Sequence, residues 1–255
     1  MSDDEARRFA REHAHYTGDL PFWRAHAARL GSPVLDLGTA TGRVAIPLAR
    51  DGQEVWALDR SPAMLVELDR RLEAEPREVR RRVRAVPGEL AGFRLDRAFR
   101  LVLIAMNTLQ ALTEPADRLA CLSAVREHLA PGGELIFDVA LPDVEEIESS
   151  IGLERSSGRH RDPISGEELV HSGWYDTWDP ATQTLAFTLR IHSSDGHGPP
   201  RETLRAHRVH LFTPEELAGL LAEAGLEQIA VAGGFDGSPL SPASEIQVHR
   251  CRAAA

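Results

Sequence analysis

The most constraining feature is a short apolar strand that ends beside an aspartate and runs into a glycine-bearing turn. Residues 34–43 read Val-Leu-Asp-Leu-Gly-Thr-Ala-Thr-Gly-Arg, and a second apolar run ends at Asp59. Such runs are typical of buried parallel strands, and the glycines mark a tight turn into a helix that begins near Val44. Gly38 and Gly42 are expected to let a ligand approach the backbone. Asp59 then lies where a βαβ unit presents a carboxylate to ribose hydroxyls, so the pattern predicts a nucleoside site.

The glycine spacing separates two classes of nucleoside site. A dinucleotide fingerprint needs glycines at its first, third and sixth positions, and here those positions are Gly38, Ala40 and Arg43. An arginine cannot supply the close helix packing of the last glycine. The spacing therefore argues against a nicotinamide oxidoreductase.

Asp36, Gly38 and Gly42 instead form the pattern D-x-G-x-x-x-G, which resembles motif I of the class I S-adenosylmethionine (SAM)-dependent methyltransferases. Ala40 replaces a glycine that is common there. Later motifs of the family are matched, in order, by residues 59–65, 87–90, 100–107 and 129–138. Five ordered matches are far more specific than one glycine loop.

The resemblance implies SAM as the cofactor, S-adenosylhomocysteine as its product, and a set of binding residues. That set is Tyr16, Trp23, Asp36, Gly38, Thr39, Ala40, Gly42, Arg43, Asp59, Arg60, Gly88, Glu89, Leu90, Ala105 and Met106. Within it, Asp59 would bind the ribose and Glu89 would face the adenine amino group. Tyr16 and Trp23 would come from an N-terminal helix over the cofactor, although aromatic residues are more often simply core.

Alternating strands and helices predict an α/β fold with a parallel sheet covered on both faces. Strands are expected at Pro33–Leu37, Glu54–Asp59, Arg82–Pro87, Phe99–Ala105, Glu134–Val139, Glu227–Ala232 and Glu245–Cys251. The resemblance implies a Rossmann-like sheet of seven strands in the order 3-2-1-4-5-7-6, with strand seven antiparallel. Four segments follow: N-terminal helices at 1–30, a SAM-binding core at 31–141, a substrate cap at 142–212 and the completion of the core at 213–255.

The expected cap is an antiparallel insertion after strand five. Leu169–Trp178 and Thr184–His192 flank a turn, and Glu202–Phe212 supplies a third strand. Pro142–Gly166 is poor in large apolar residues, so we expect a mobile helix and loop that forms part of a lid. The resemblance implies that this cap lies over the carboxyl ends of the core strands and shapes the substrate pocket.

Composition excludes several other functions. A formal net charge of -10 argues against nucleic-acid binding, which needs clustered basic residues. Apolar runs such as Leu101–Met106 are too short to span a bilayer. Cys121 and Cys251 give no disulfide framework, and His207 and His210 would point to opposite faces of a strand, so no metal site is expected. The expected protein is cytoplasmic, a monomer or homodimer, and acts without nucleic acid or membrane.

Methyl transfer mainly requires that the nucleophile is aligned with the methyl group and that water is kept out. Asn107, Tyr16 and Tyr175 are the candidates for orienting the acceptor, and Ala111 stands where similar enzymes often carry a histidine. His171 and His192 remain candidate proton acceptors. The sequence favours a methyltransferase that acts on a small-molecule amine of specialised metabolism. An O-methyltransferase, or a non-catalytic SAM-binding regulatory or scaffold protein, is the alternative.

Overall fold

Apolar strands and amphipathic helices alternate through the first half of the chain in a computed structural model, which describes residues 2–141, 143–161, 166–194 and 200–254. The helices are α1 Asp3–Glu12, α2 Leu20–Leu30, α3 Ala45–Arg50, α4 Pro62–Glu73, α5 Arg77–Arg80, α6 Pro115–His128, α7 Val144–Ser150 and α8 Pro214–Glu223, with a 3-10 helix at Thr108–Ala111. The strands are β1 Val34–Leu37, β2 Val55–Asp59, β3 Val83–Pro87, β4 Phe99–Ile104, β5 Leu129–Ala140, β6 Arg155–Arg161, β7 Glu168–Asp179, β8 Thr184–Ser194, β9 Arg201–His210, β10 Leu226–Ala232 and β11 Ile246–Ala253.

The chain divides into two compact units. The first comprises Met1–Leu141 with Thr213–Ala255, and the second comprises Pro142–Phe212. Among the described residues, no helix is both long enough and apolar enough to cross a membrane.

The first unit is built on a sheet of seven strands in the order β3-β2-β1-β4-β5-β11-β10. Strands β1 to β5 are parallel, whereas β11 is antiparallel to both β5 and β10. This confirms the predicted order. The strand order reverses between β1 and β4, and ligands of open α/β sheets bind outside the carboxyl ends at such a point.

Helix caps in the first unit follow the sequence signals. The Ser61 hydroxyl accepts a hydrogen bond from the backbone N–H of Met64 at the start of α4, and the Thr213 hydroxyl accepts from Glu216 at the start of α8. Each helix has a proline in its first turn, where no backbone donor is needed. Because β1 and β2 are buried along their whole length, their ends are held rigidly beneath the loops that follow them.

The second unit is an antiparallel sheet in the order β6-β7-β8-β9. The predicted hairpin and third strand correspond to β7, β8 and β9. The expectation of a helix and loop over Pro142–Gly166 is wrong at Arg155–Arg161, which forms β6 because β7 supplies partners for its backbone groups. Pro142 and residues 162–165 lie outside the described residues, and the mobility of this segment stays a prediction.

Candidate functional site

The loop after β1 is shaped by two carboxylates at the ends of neighbouring strands. Asp36 is buried, and it accepts a hydrogen bond from the Thr39 hydroxyl at 2.7 Å. Asp59 accepts from the backbone N–H of Ala40 and from that of Ser61, each at 2.8 Å. Ala40 has a φ of 48°, a left-handed conformation that alanine seldom adopts. The Asp59 carboxylate therefore helps to hold a strained loop.

The two loop glycines pack closely against different neighbours, Thr108 and Leu68. Gly38 has a φ of 75°, and a Cβ atom there would lie 2.4 Å from Cγ2 of Thr108. Gly42 has a φ of 79°, and its Cβ would lie 2.4 Å from Cδ1 of Leu68 on α4. Gly42 is therefore required for close packing against α4, and its expected approach to a ligand stays a prediction.

Arg43 ties the N-terminal segment to this loop. Its guanidinium donates two hydrogen bonds to the buried carboxylate of Asp19, at 2.6 and 2.7 Å, and a third to the Tyr16 carbonyl at 3.1 Å. The guanidinium carbon lies 4.9 Å from the centre of the Tyr16 ring. Asp19 also accepts from Nε1 of Trp23 at 2.8 Å. Sequence reasoning used Arg43 to exclude a dinucleotide and expected it to bind the cofactor, but no local pattern indicated this ion pair.

Trp23 is a core residue in this structure, and its expected role as a cofactor residue stays a prediction. Its side chain is completely buried and packs in the main hydrophobic cluster with Ala27 and Val44. It therefore has no surface to offer a ligand in this conformation.

The turn after β4 is held by a residue that the sequence did not single out as part of the site. Met106 and Asn107 have φ values of 61° and 59°, so two non-glycine residues in succession are left-handed. Their N–H groups donate to the two carboxylate oxygens of Asp138, at 2.8 and 3.0 Å. Burial raises the pKa of Asp138 to about 6. Oδ1 of Asn107 is buried without a hydrogen-bond partner among the described residues.

These elements enclose a cavity of about 350 Å³ at the carboxyl ends of the strands. It is lined by Phe9, His13, Asp36, Gly38, Thr39, Ala40, Thr41, Arg43, Val44, Asp59, Arg60, Met64, Glu89, Leu90, Ala105, Met106, Thr108, Ala111 and Leu112. Eleven of the expected cofactor residues are in this set: Asp36, Gly38, Thr39, Ala40, Arg43, Asp59, Arg60, Glu89, Leu90, Ala105 and Met106. Tyr16, Trp23, Gly42, Gly88 and Asn107 are not in it.

Phe9 and His13 form a wall of the cavity that sequence reasoning missed. The two rings stack with centres 3.9 Å apart, and Nδ1 of His13 lies 2.8 Å from the Phe9 carbonyl oxygen. Phe9 also packs near Met64 and Ala40, beside the carboxyl end of β2. Phe9 is on α1 and His13 is the C-cap residue of that helix, four residues later. This i, i+4 spacing, which places two side chains on one face, was the signal in the sequence.

The remaining candidates lie in the second unit. Tyr175 packs in an apolar cluster with Ile147, and burial raises the pKa of its hydroxyl. His171 pairs with Ile191 across β7 and β8, so it shares a face with that residue, and His192 lies on the opposite face. Nε2 of His192 is 3.4 Å from a carboxylate oxygen of Glu202. The two histidines therefore cannot serve the same reacting atom.

In the part of the chain that the structure describes, no three histidine, cysteine, aspartate or glutamate residues are grouped so that they could hold a metal ion.

Comparison with known proteins agrees with this geometry. Residues 34–133 match the family described as "Methyltransferase domain". The cypemycin N-terminal methyltransferase of a Streptomyces species is 28% identical over 220 residues, which are 86% of this chain and 82% of that protein. The solved structure of the CcbJ methyltransferase from Streptomyces caelestis has 29% identity and a TM-score of 0.79, covering 92% of this chain and 95% of that one.

These matches, with the ordered motifs and the cavity at the carboxyl ends of the strands, support a class I SAM-dependent methyltransferase. The glycopeptide N-methyltransferase MtfA, solved in complex with SAM, is a further similar structure, with 27% identity and a TM-score of 0.61 over 100% of this chain and 88% of that one. The cofactor of this methyltransferase is SAM. The residues that line the cavity fit SAM. The carboxylates of Asp36, Asp59 and Glu89 are hydrogen-bond acceptors with negative charge, and SAM carries ribose hydroxyls, an adenine amino group and positive charge.

Proposed function

We propose that this enzyme transfers a methyl group from SAM to the amine nitrogen of a small molecule of specialised metabolism. One observation carries the choice of nitrogen. Ala111, at the position where the resemblance leads us to expect a histidine, lines the cavity. The wall at that point therefore has no group that could take a proton from a hydroxyl, and a neutral amine needs none.

In this proposal, the carboxylates of Asp59 and Glu89 determine how the cofactor is oriented. Asp59, at the end of β2, accepts the ribose hydroxyls, and Glu89 faces the adenine amino group. Ala105 and Met106, which follow β4, then lie beside the reacting methyl group. Both ends of this arrangement are residues of the cavity wall.

Bound SAM supplies a methyl group on a sulfonium, which is electrophilic enough for direct attack by an amine. The chain's own contribution is to align the nucleophile and to keep water away from it. The Asn107 amide oxygen is buried and without a partner in the described structure, between the lining residues Met106 and Thr108. A rotation of this side chain toward the cavity would let it accept one N–H of the amine and direct its lone pair. With SAM bound, the amine nitrogen would take the methyl carbon, S-adenosylhomocysteine would leave as the neutral thioether, and the ammonium product would lose a proton to solvent.

Tyr16 is a weaker candidate for the same orienting role. Its side chain is partly exposed, and burial together with the nearby Asp19 and Asp138 carboxylates raises the pKa of its hydroxyl, so the hydroxyl stays protonated at neutral pH. A protonated phenol can donate to an acceptor or accept from an ammonium. The role of the second unit as a substrate cap, with Tyr175, His171 and His192 as its candidate residues, stays a prediction from the resemblance.

O-methylation is the competing proposal, because His13 is a possible base in the cavity wall. Since Nδ1 of His13 faces the Phe9 carbonyl, Nε2 is the nitrogen that could accept a proton. His13→Gln separates the two proposals, because glutamine keeps a polar side chain of similar length but cannot act as a base.

The test uses acceptors that differ only in the nucleophilic atom, such as a matched primary amine and alcohol, with product detected by the added mass of one methyl group. N-methylation predicts product from the amine only, a rate that rises with pH as the acceptor amine deprotonates, and no inhibition by chelators. His13→Gln should retain that activity. Methylation of the alcohol alone, abolished in His13→Gln, would establish the O-methyltransferase instead.

A further inference from the structure

The carboxylate of Asp138 binds two consecutive backbone N–H groups in the turn after β4. We propose that Asp138 is a positioning residue, which sets the shape of the cofactor cavity by holding Met106 and Asn107 in their left-handed turn. It touches the wall of the cavity through this turn and is not itself among the lining residues. The proposal rests on the methyltransferase reaction and not on the identity of the acceptor.

The turn needs an external support. Left-handed conformations place the Cβ atom of an L-residue too close to its own backbone, so they persist only where the surroundings fix them. Met106 and Asn107 are both left-handed, and neither is glycine. Both N–H groups donate to one buried side chain, the carboxylate of Asp138.

A carboxylate is the group that suits this task. Each of its oxygens accepts one N–H, whereas an asparagine amide would turn a donor toward one of the two donors. The strand register brings it there, because Phe137 on β5 pairs with Ile104, the last residue of β4. Asp138 is the next residue, so its side chain reaches the turn that follows.

The fold keeps this carboxylate buried despite an electrostatic cost. Burial raises the pKa of Asp138 to about 6, and the nearby Asp19 carboxylate also raises it, whereas the two backbone hydrogen bonds and Arg43 lower it. Charge at this position therefore does not improve stability. Its retention is explained by the two acceptors that it gives to the turn.

Displacement of the turn would be transmitted to both sides of the cavity. Met106 and Thr108 line the wall on either side of Asn107. The Thr108 hydroxyl donates to the Ala105 carbonyl at 2.7 Å, and its methyl group occupies the space beside Gly38 that a Cβ atom would need. A shift at Met106 and Asn107 therefore alters the glycine loop as well as the end of β4.

The test measures SAM binding by titration calorimetry, which requires no acceptor. Asp138→Asn loses one of two charge-assisted hydrogen bonds, so we expect its Kd for SAM to rise about tenfold or more. Glu134→Gln is the matched control on the same strand. Glu134 is also buried, but it accepts from Arg29 and Arg250 and is not bonded to the turn. Its variant should lose thermal stability and keep the parent Kd.

A glycine substitution tests the mechanism directly. Glycine adopts a φ of about 60° without strain, so Met106→Gly should make the turn less dependent on its two hydrogen bonds to Asp138. In the Met106→Gly background, the rise in Kd caused by Asp138→Asn should shrink by roughly threefold or more. A purely structural role for Asp138 would produce the same rise in both backgrounds.

The proposal is overturned if folded Asp138→Asn binds SAM like the parent, if Glu134→Gln weakens binding equally, or if Met106→Gly leaves the penalty unchanged. Where Asp138→Asn does not fold, Asp138→Glu replaces it. The longer side chain keeps both acceptor oxygens but moves them by one methylene, so its Kd should also rise. A parent-like Kd for Asp138→Glu contradicts the proposal.

Discussion

Asp59→Ala tests whether the carboxylate at the end of β2 organises the cofactor site. In the structure its oxygens accept the N–H groups of Ala40 and Ser61, and the residue lines the cavity. The substitution would therefore remove the proposed ribose contact, and it also frees Ala40, a loop residue held in a left-handed conformation.

The magnitude follows from the kind of bond that is lost. A hydrogen bond to a charged group contributes roughly 1.5–3 kcal/mol, so loss of the ribose contact should raise the Kd for SAM by about 10- to 150-fold. Relaxation of Ala40 adds to this effect. Titration calorimetry with SAM, and separately with S-adenosylhomocysteine, measures it. Because the contact is to the ribose, the two ligands should lose affinity equally.

Two further variants make the result interpretable. Asp69→Ala makes the same change on the exposed side of α4 and should keep the parent affinity. Asp59→Asn keeps one acceptor oxygen and should lie between Asp59→Ala and the parent. Parent-like SAM affinity in a folded Asp59→Ala protein refutes the assignment of this carboxylate to the ribose.

Two other predictions concern stability. Gly42→Ala should destabilise the fold by about 1–3 kcal/mol more than Gly237→Ala, because both residues have a φ of 79° but only Gly42 has Leu68 where the new methyl group would go. Equal losses in denaturant unfolding would argue against packing at that position. Burial raises the pKa of Asp36 to about 6, so in the parent this group's contribution to stability is present below its ordinary pKa and is lost as the pH rises through about 6. Unfolding at pH 4.5 and 7.5 should therefore show the stability of Asp36→Asn gaining about 2 kcal/mol relative to the parent between the two values, and a pH-independent difference would contradict the burial argument.

The sheet and the cofactor loop could be predicted because their determinants are local in sequence. Apolar runs, turn glycines and the carboxylate of Asp59 fall at spacings that only a few folds accommodate, and the seven-strand order was implied by the resemblance to the methyltransferase family. The helix starts at Ser61 and Thr213 were likewise set by neighbouring residues.

The parts that were not predicted depend on distant contacts. Asp138 accepts a hydrogen bond from Met106, which lies 32 residues earlier in the chain, and Arg43 pairs with Asp19, which lies 24 residues earlier. Both separations are longer than the window over which a local sequence pattern is interpreted. Trp23 is in the core because of what packs around it, and its type alone did not distinguish core from site. Strand β6 has few apolar residues, and pairing with β7 decides its conformation.

The most direct test of the central claim is to locate the transferred methyl group on an acceptor that offers both nucleophiles. The purified enzyme is incubated with amino alcohols or aminophenols and with SAM labelled with carbon-13 in its methyl group, and product is identified by mass spectrometry and NMR. The account predicts label on nitrogen, with a rate that rises as the amine deprotonates. Label on oxygen alone, from acceptors whose amine is free and accessible, would contradict it.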